Sequence, residues 1–313
     1  MTDNIKIHEG EAEFHVPAAG KPCKTWFKVF GDLSNGKQRP LVTLHGGPGV
    51  THEYQLALVD LVSTYGIPVI VYDQIGNGKS THLPEKNGDG SFWTEELFCD
   101  ELDNLLKHLG IQDDYDLFGQ SWGGMLAARF ATKQPKGLNK LIISNSPASM
   151  ELWVKAANKL RSQLPQEIQD ALTKHEKAGT TDSKEYEEAT QYFYDLHVIR
   201  LKPMPEEVQR SFESITEDPT VYMTMNGPNE FHIIGTLKNW SVVDDLHKIA
   251  VSTLLLNGRY DEAQDEVVMP YFQNISKVKW FQFSESSHLP QWEERERYME
   301  VVGEFLINQC LRM

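Results

Sequence analysis

Between Pro40 and Pro147 the chain repeats one pattern: a short apolar run rich in β-branched residues, stopped by glycine or proline, then a longer stretch. Leu41–Leu44 stops at Gly46-Gly-Pro-Gly49, Pro68–Tyr72 at Asp73-Gln-Ile-Gly-Asn-Gly78, Tyr115–Phe118 at Gly119-Gln-Ser-Trp-Gly123, and Leu141–Ser144 at Pro147. A strand covered by helices on both faces has no polar side, so it reads as an unbroken apolar run rather than an alternating one. Between these runs, Thr94–Leu109 and Trp122–Gln134 carry apolar residues at helical spacing. Strand, helix, strand, helix predicts an α/β fold with a mostly parallel sheet flanked by helices.

Glu11–Val16 and Thr25–Phe30 read as an antiparallel hairpin leading into that sheet. After Ser149 the character changes. Residues 150–245 are rich in Lys, Glu, Gln and Ala, with helical stretches at Glu151–Leu164, Pro165–Lys177, Ser183–Ile199 and Pro205–Ser214. The strand pattern resumes at Ser252–Asn257 and Val278–Phe283, and a terminal helix is expected from Glu293 to Cys310. One sheet domain, residues 1–148 and 246–313, interrupted by a helical cap at 149–245, is the economical organisation for 313 residues.

Forty-five acids against thirty bases leave a net charge of −15. A nucleic-acid binder carries a basic face to meet phosphate, and anionic membrane selects for the same feature, so neither partner is expected. Cys23, Cys99 and Cys310 are odd in number and lack metal-type spacing. This argues against a disulfide scaffold or a metal site and for a reducing, cytoplasmic setting. The start, Met1-Thr-Asp-Asn-Ile-Lys-Ile-His8, has no apolar h-region, so no secretory signal is expected. No stretch reaches the ~20 apolar residues that span a bilayer.

Gly119-Gln-Ser121-Trp-Gly123 matches G-x-S-x-G, and it sits where an apolar strand turns into a helix. A nucleophile on so tight a turn needs small residues two before and two after it. A serine hydroxyl attacks only when a base takes its proton, and the base needs an acid to fix its tautomer. On a fold of this class the chain order is Ser, then acid, then His. Asp261 follows the run Leu254-Leu-Leu-Asn-Gly-Arg-Tyr, and His288 follows Val278–Phe283, so both fall at strand ends on the edge that carries Ser121. The other ten histidines lie before Ser121, within the cap or before Asp261. Asp265 is the fallback acid but reads as the N-cap of the next helix.

Acyl transfer passes through an oxyanion that needs two N–H donors. The amide of Trp122, directly after the nucleophile, supplies one. The glycines of His45-Gly46-Gly47-Pro48-Gly49 let backbone approach a substrate closely, so Gly47 is the first choice for the other and Gly46 the second.

Taken together, His45-Gly-Gly-Pro-Gly49, Asp73-Gln-Ile-Gly-Asn-Gly-Lys-Ser80, Gly119-Gln-Ser-Trp-Gly-Gly124, Gly258-Arg-Tyr-Asp-Glu262 and Ser287-His288 resemble the proline iminopeptidase (prolyl aminopeptidase) family of α/β-hydrolases. The resemblance implies the α/β-hydrolase fold, a Ser121–Asp261–His288 triad, no metal or cofactor, and removal of an N-terminal residue from small peptides or amino-acid amides. Met225-Asn-Gly-Pro-Asn-Glu230-Phe231 is similar to the family's cap segment whose glutamate holds the substrate's free amine, and Glu262 matches a second amine-binding acid. Two carboxylates around an ammonium suit an exopeptidase, which must recognise a charged terminus. Trp122, Phe231 and Trp240 are candidate walls for the first side chain. The chain departs from many members at Ile75, where they carry Arg; the turn glycines remain, so the loop is expected to keep its shape.

The expected function is a serine exopeptidase or amidase working through an acyl-enzyme. Two readings compete. An esterase or tailoring hydrolase of a specialised small molecule would use the same three residues without needing Glu230. A small-molecule receptor on a hydrolase scaffold would need none of them.

Overall fold

The computed structural model describes residues 5–308. Met1–Asn4 of the start, Cys310 and the expected end of the last helix lie outside the described residues. Eight strands form one sheet: β1 (Ile7–Phe14), β2 (Cys23–Phe30), β3 (Leu41–Leu44), β4 (Val69–Tyr72), β5 (Tyr115–Gln120), β6 (Leu138–Ser144), β7 (Ser252–Gly258) and β8 (Val278–Phe283). Their spatial order is β1-β2-β4-β3-β5-β6-β7-β8. The hairpin β1–β2 and the β2–β4 pair are antiparallel, and every pairing from β4 to β8 is parallel.

The helices are α1 (Asp60–Tyr65), α2 (Glu95–His108), α3 (Trp122–Thr132), α4 (Met150–Arg161), α5 (Gln166–Ala178), α6 (Lys184–His197), α7 (Glu206–Glu217), α8 (Thr220–Met225), α9 (Asp265–Asn274), α10 (Pro290–Glu293) and α11 (Arg295–Ile307). Alternate strand residues enter two different cores, as the two-residue period of a strand requires. Val42, Ile70, Leu117, Ile143 and Leu255 pack under α2, α3 and α9. Leu41, Val69, Val71, Phe118, Ile142 and Leu254 pack under α1 and α11. Both faces are covered, which is why the runs carry no polar alternation.

The segment between β6 and β7 holds α4 to α8, of which α4, α5 and α6 share a small core of Leu160, Leu172, Tyr186 and Phe193. It leaves and rejoins the sheet domain at one place: Ser149 pairs with Ser241, and Val242 N–H donates to Ala148 O at 3.0 Å. No helix among the described residues is long and apolar enough to cross a membrane.

The structure departs from the sequence expectations in several places: the hairpin expected at Glu11–Val16 and Thr25–Phe30 runs over Ile7–Phe14 and Cys23–Phe30. Tyr54, Ala57 and Leu58 lie in a 3-10 stretch, His52–Val59, that runs into α1 and lacks an amphipathic stripe. Helix α8 is a single β-branched turn and a half, Thr-Val-Tyr-Met-Thr-Met. Strand β5 continues two residues further, through Gly119 and Gln120. The last helix is broken at Glu294, whose backbone (φ −126°, ψ 50°) is not helical. Gln264, not Asp265, is the N-cap of α9; Asp265 is its first residue.

The strand order reverses between β3 and β5, since β4 lies on one side of β3 and β6 on the far side of β5. At such a switch point the loops leaving two neighbouring strands diverge and open a crevice at their carboxyl ends. The 45–49 loop and Ser121 leave from those two strands.

Candidate active site

Ser121 is the hinge between β5 and α3, with φ 57° and ψ −125°. For a non-glycine residue this conformation costs about 1–3 kcal/mol and persists only where the surroundings force it. The surroundings are its own glycines. A Cβ on Gly119 would stand 2.0 Å from the Gly123 carbonyl oxygen, and one on Gly123 would stand 2.0 Å from the Leu44 carbonyl oxygen. The first glycine lets the turn close on itself; the second lets α3 press against the loop after β3.

His288 follows β8 and Asp261 follows β7. His288 Nδ1 donates to Asp261 Oδ1 at 2.7 Å, which leaves Nε2 free to face the cavity. The carboxylate is fully buried and also accepts from Ala263 N at 2.8 Å and Asn145 Nδ2 at 2.6 Å. Asn145, at the end of β6 with φ 51°, was not singled out from the sequence. Its only sequence signal was its place at the C-terminal end of a buried strand. Behind His288, Ser287 donates through N and Oγ to Glu293 at 2.6 and 2.8 Å. The His288 ring meets the edge of Trp153 from α4 at 5.9 Å.

Ser121, His288, Gly46, Gly47, Glu230 and Glu262 line one solvent-open cavity with about 370 Å³ of free space. Ser121, Gly47 and Glu230 also line a second of about 230 Å³, with Trp122, Met125, Met150, Trp153 and Leu237. No hydrogen bond joins the Ser121 hydroxyl to the imidazole; such contacts commonly tighten only when substrate is bound. Among the described residues, the N–H groups of Gly47 and Trp122 have no acceptor. The N–H of Gly46 donates to Tyr54 Oη at 2.8 Å. Gly46, the second choice for an oxyanion donor, is therefore committed elsewhere.

A chain of polar side chains locks the loop. Tyr54 Oη donates to Gln120 Oε1 at 2.7 Å, and Gln120 Nε2 donates to His288 O at 3.0 Å. His45 Nε2 accepts from Gln74 N at 2.9 Å, so its proton sits on Nδ1 and points to Gly46 O; burial holds its pKa below the usual value. Gln74 bridges His45 O and the Trp122 indole, each at 2.9 Å. Ile75 is buried and its N–H rests on Glu101. The loop keeps its turn despite lacking arginine there.

Glu230 and Glu262 come from distant segments to the same cavity. Glu230 Oε1 accepts from Tyr222 Oη at 2.7 Å, and its carbonyl accepts from Trp153 Nε1 at 2.6 Å. Glu262 is buried, and neither of its carboxylate oxygens has a hydrogen-bond partner; Oε1 lies 4.0 Å from His288 Nε2. Burial raises the pKa of both, and for Glu262 the neighbouring Glu230 and Asp261 raise it further. Of the expected aromatic walls, Trp122 borders the smaller cavity, whereas Phe231 packs in the core of the helical segment and Trp240 donates to Glu95. His52, Glu53 and Asp73 bring ligand-type atoms within 4.8 Å of one another. Asp73 and His52 are already engaged with each other, since Asp73 accepts from His52 N, His52 Nδ1 and Lys79 N, whereas Glu53 Oε2 has no hydrogen-bond partner.

The model of the alpha/beta hydrolase fold family matches residues 39–295. A proline iminopeptidase of Saccharolobus solfataricus is 42% identical over 271 residues, 87% of this chain and 86% of that protein. One of Clostridioides difficile is 35% identical over 96% of this chain and 99% of its own length. Among solved structures, the proline iminopeptidase of Mycobacterium smegmatis superposes with a TM-score of 0.87 at 42% identity, covering 96% of this chain and 97% of that one. VinJ superposes at 0.91 with 50% identity, covering 96% and 98%. The chain belongs to the α/β-hydrolase fold family and, within it, to the proline iminopeptidases.

Proposed function

We propose that the protein is a serine aminopeptidase that releases the N-terminal residue of a short peptide or amino-acid amide. Glu230 and Glu262 hold the substrate's ammonium, which sets the first carbonyl against Ser121. His288 takes the hydroxyl proton at Nε2 while Asp261 fixes the Nδ1–H tautomer, and Ser121 Oγ bonds to the carbonyl carbon. The N–H groups of Gly47 and Trp122 receive the charge that develops on oxygen. His288 returns the proton to the leaving nitrogen, the C–N bond breaks, and water hydrolyses the ester by the same relay. The second cavity combines Met125, Met150 and Leu237 with the polar Asn226 and Glu230, which suits a small first side chain, proline among them, with its amine on the polar side. The unpaired, buried thiols of Cys23 and Cys99 support a reducing, cytoplasmic setting.

The observation that carries this reading is the partnerless carboxylate of Glu262 in the cavity of Ser121 and His288. A buried acid without a donor is costly unless a ligand supplies one, and an ammonium is the donor that two acids select. An esterase has no use for it. Glu262→Gln is expected to lower kcat/KM for free-amine aminoacyl p-nitroanilides by roughly 10- to 150-fold, the worth of one charge-assisted hydrogen bond. N-acetylated substrates should be poor with both proteins. If they are turned over as fast as the free amines, the amine-anchoring reading fails.

A further inference from the structure

The leaving group has a distinct place in this site, and its chemistry can be read from the wall. His288 must reach the departing nitrogen, so the part of the substrate beyond the cleaved bond occupies the cavity that His288 lines. The remaining walls of that cavity are Val50, Tyr54, Val198, Phe212 and Leu289, with Gln120, whose amide is engaged by Tyr54 and His288. Val50, Tyr54, Phe212 and Leu289 belong to an apolar cluster that joins α7 and the segment before it to the 45–54 loop and the start of α10. Neither cavity is lined by a lysine or an arginine; the acids that reach them are Glu230 and Glu262. The arginines of the helical segment are engaged elsewhere. Arg161 pairs with Glu176, Arg210 pairs with Glu206, and Arg200 stacks on Tyr260 at 3.8 Å and donates to Glu285 O.

We propose that this cavity is a leaving-group subsite for uncharged, apolar amines, and that it rejects a leaving residue bearing a free α-carboxylate. The proposal rests on the aminopeptidase reading and adds the substrate class on the far side of the bond. The α-carboxylate of a dipeptide lies one residue from the reacting carbonyl. There it would meet Val198, Phe212 and Leu289 with no lysine or arginine in the lining to receive it. An ionised carboxylate desolvated without a partner is strongly disfavoured. The same leucine as its amide, or an apolar amine, loses only water of little strength and covers apolar wall. The preferred substrates are therefore aminoacyl amides of apolar amines, or peptides long enough to carry their carboxylate out of the cavity.

The test compares matched pairs: prolyl-leucine and alanyl-leucine as free acids against the same dipeptides as C-terminal amides, with release of the first residue followed by chromatography. The amide is expected to exceed the acid in kcat/KM by at least about 10-fold, the scale of an unpaired buried charge. Phe212→Arg, which places a cation on the half-buried wall, is expected to narrow that ratio by raising turnover of the acid. Equal turnover of acid and amide by the wild-type protein overturns the subsite while leaving the aminopeptidase reading intact. Cleavage of neither, with N-acetylated esters hydrolysed instead, overturns both. An unchanged ratio in a folded Phe212→Arg protein overturns the assignment of this wall to the leaving group.

Discussion

Asn145 shows how a single side chain can matter to a site it never enters. Its amide donates to Asp261 Oδ2 at 2.6 Å, opposite the edge that holds the imidazole, and its own backbone sits at φ 51°. Removing the amide while keeping the backbone permissive isolates the contact. Asn145→Gly is expected to lower kcat roughly 10- to 100-fold, the effect of one lost hydrogen bond to a buried charge. KM should change by less than about twofold, because binding is unaffected when only the base is misoriented. Steady-state kinetics on one aminoacyl p-nitroanilide settles it; a rise in KM with unchanged kcat would show that Asn145 serves binding. Ser121 was legible in the sequence because its backbone strain forces glycine two residues away on each side, and glycine is visible in a string of letters. Asn145 and Gln120 were not. Their partners lie 116 and 168 residues away, and an amide side chain gives no sign of which distant group it will reach. Gly46 was misjudged for the same reason: nothing nearby announces that Tyr54 takes its N–H.

At the scale of elements, α7 and the loop that carries Gly47 are stitched together. Ser211 Oγ accepts from Tyr54 N at 3.0 Å and donates to Thr51 O at 3.1 Å, while Ser214 Oγ donates to Gly49 O at 3.3 Å. The helical segment is therefore more than a cover, because it helps hold the backbone beside the nucleophile. Ser211→Ala leaves the buried Tyr54 N–H without an acceptor, which costs about 1–3 kcal/mol. We expect a lower Tm and a kcat reduced by about 3- to 10-fold. If Tm falls but kcat is preserved, the contact is structural only. The sheet was legible at this scale because each parallel strand is buried on both faces and ends at glycine or proline; β3 and β8 begin and end where the sequence placed them. The 3-10 stretch at His52–Val59 was not, since it is buried through scattered residues rather than along one stripe. Helix α8 was hidden by residues that favour strands, and it is helical because packing against its neighbours outweighs propensity.

For the whole molecule, the buried acids set the response of stability to pH. Burial pushes Glu101 up to about 8 and Asp116 to about 6, and raises Glu262 well above the usual carboxylate range. In the unfolded chain these groups lose their protons near pH ~4. Between those values the folded state keeps protons that the unfolded state has released, so stability falls as pH rises. His45 and His197 act oppositely, since burial lowers both, but that contribution is complete once pH exceeds about 6.5. From about pH 6.5 to 8.5 the acids act in the same direction as His82, whose pKa is raised, despite burial, by its hydrogen bonds to Asp218 and Gly78, and Tm is expected to drop by at least about 2 °C. Glu262→Gln should flatten the drop, trading activity for stability. A Tm that holds or rises across this range would show that the acids are ionised in the folded protein at neutral pH.

The central claim is that Ser121 carries the acyl group of a substrate held by its amine. The most direct measurement is rapid quenching of the enzyme during turnover of a free-amine aminoacyl p-nitrophenyl ester, followed by intact mass and peptide mapping. One aminoacyl group on the peptide containing Ser121, absent from Ser121→Ala, is the predicted result. An adduct on another residue, or a Ser121→Ala protein that turns over at the wild-type rate, would contradict it.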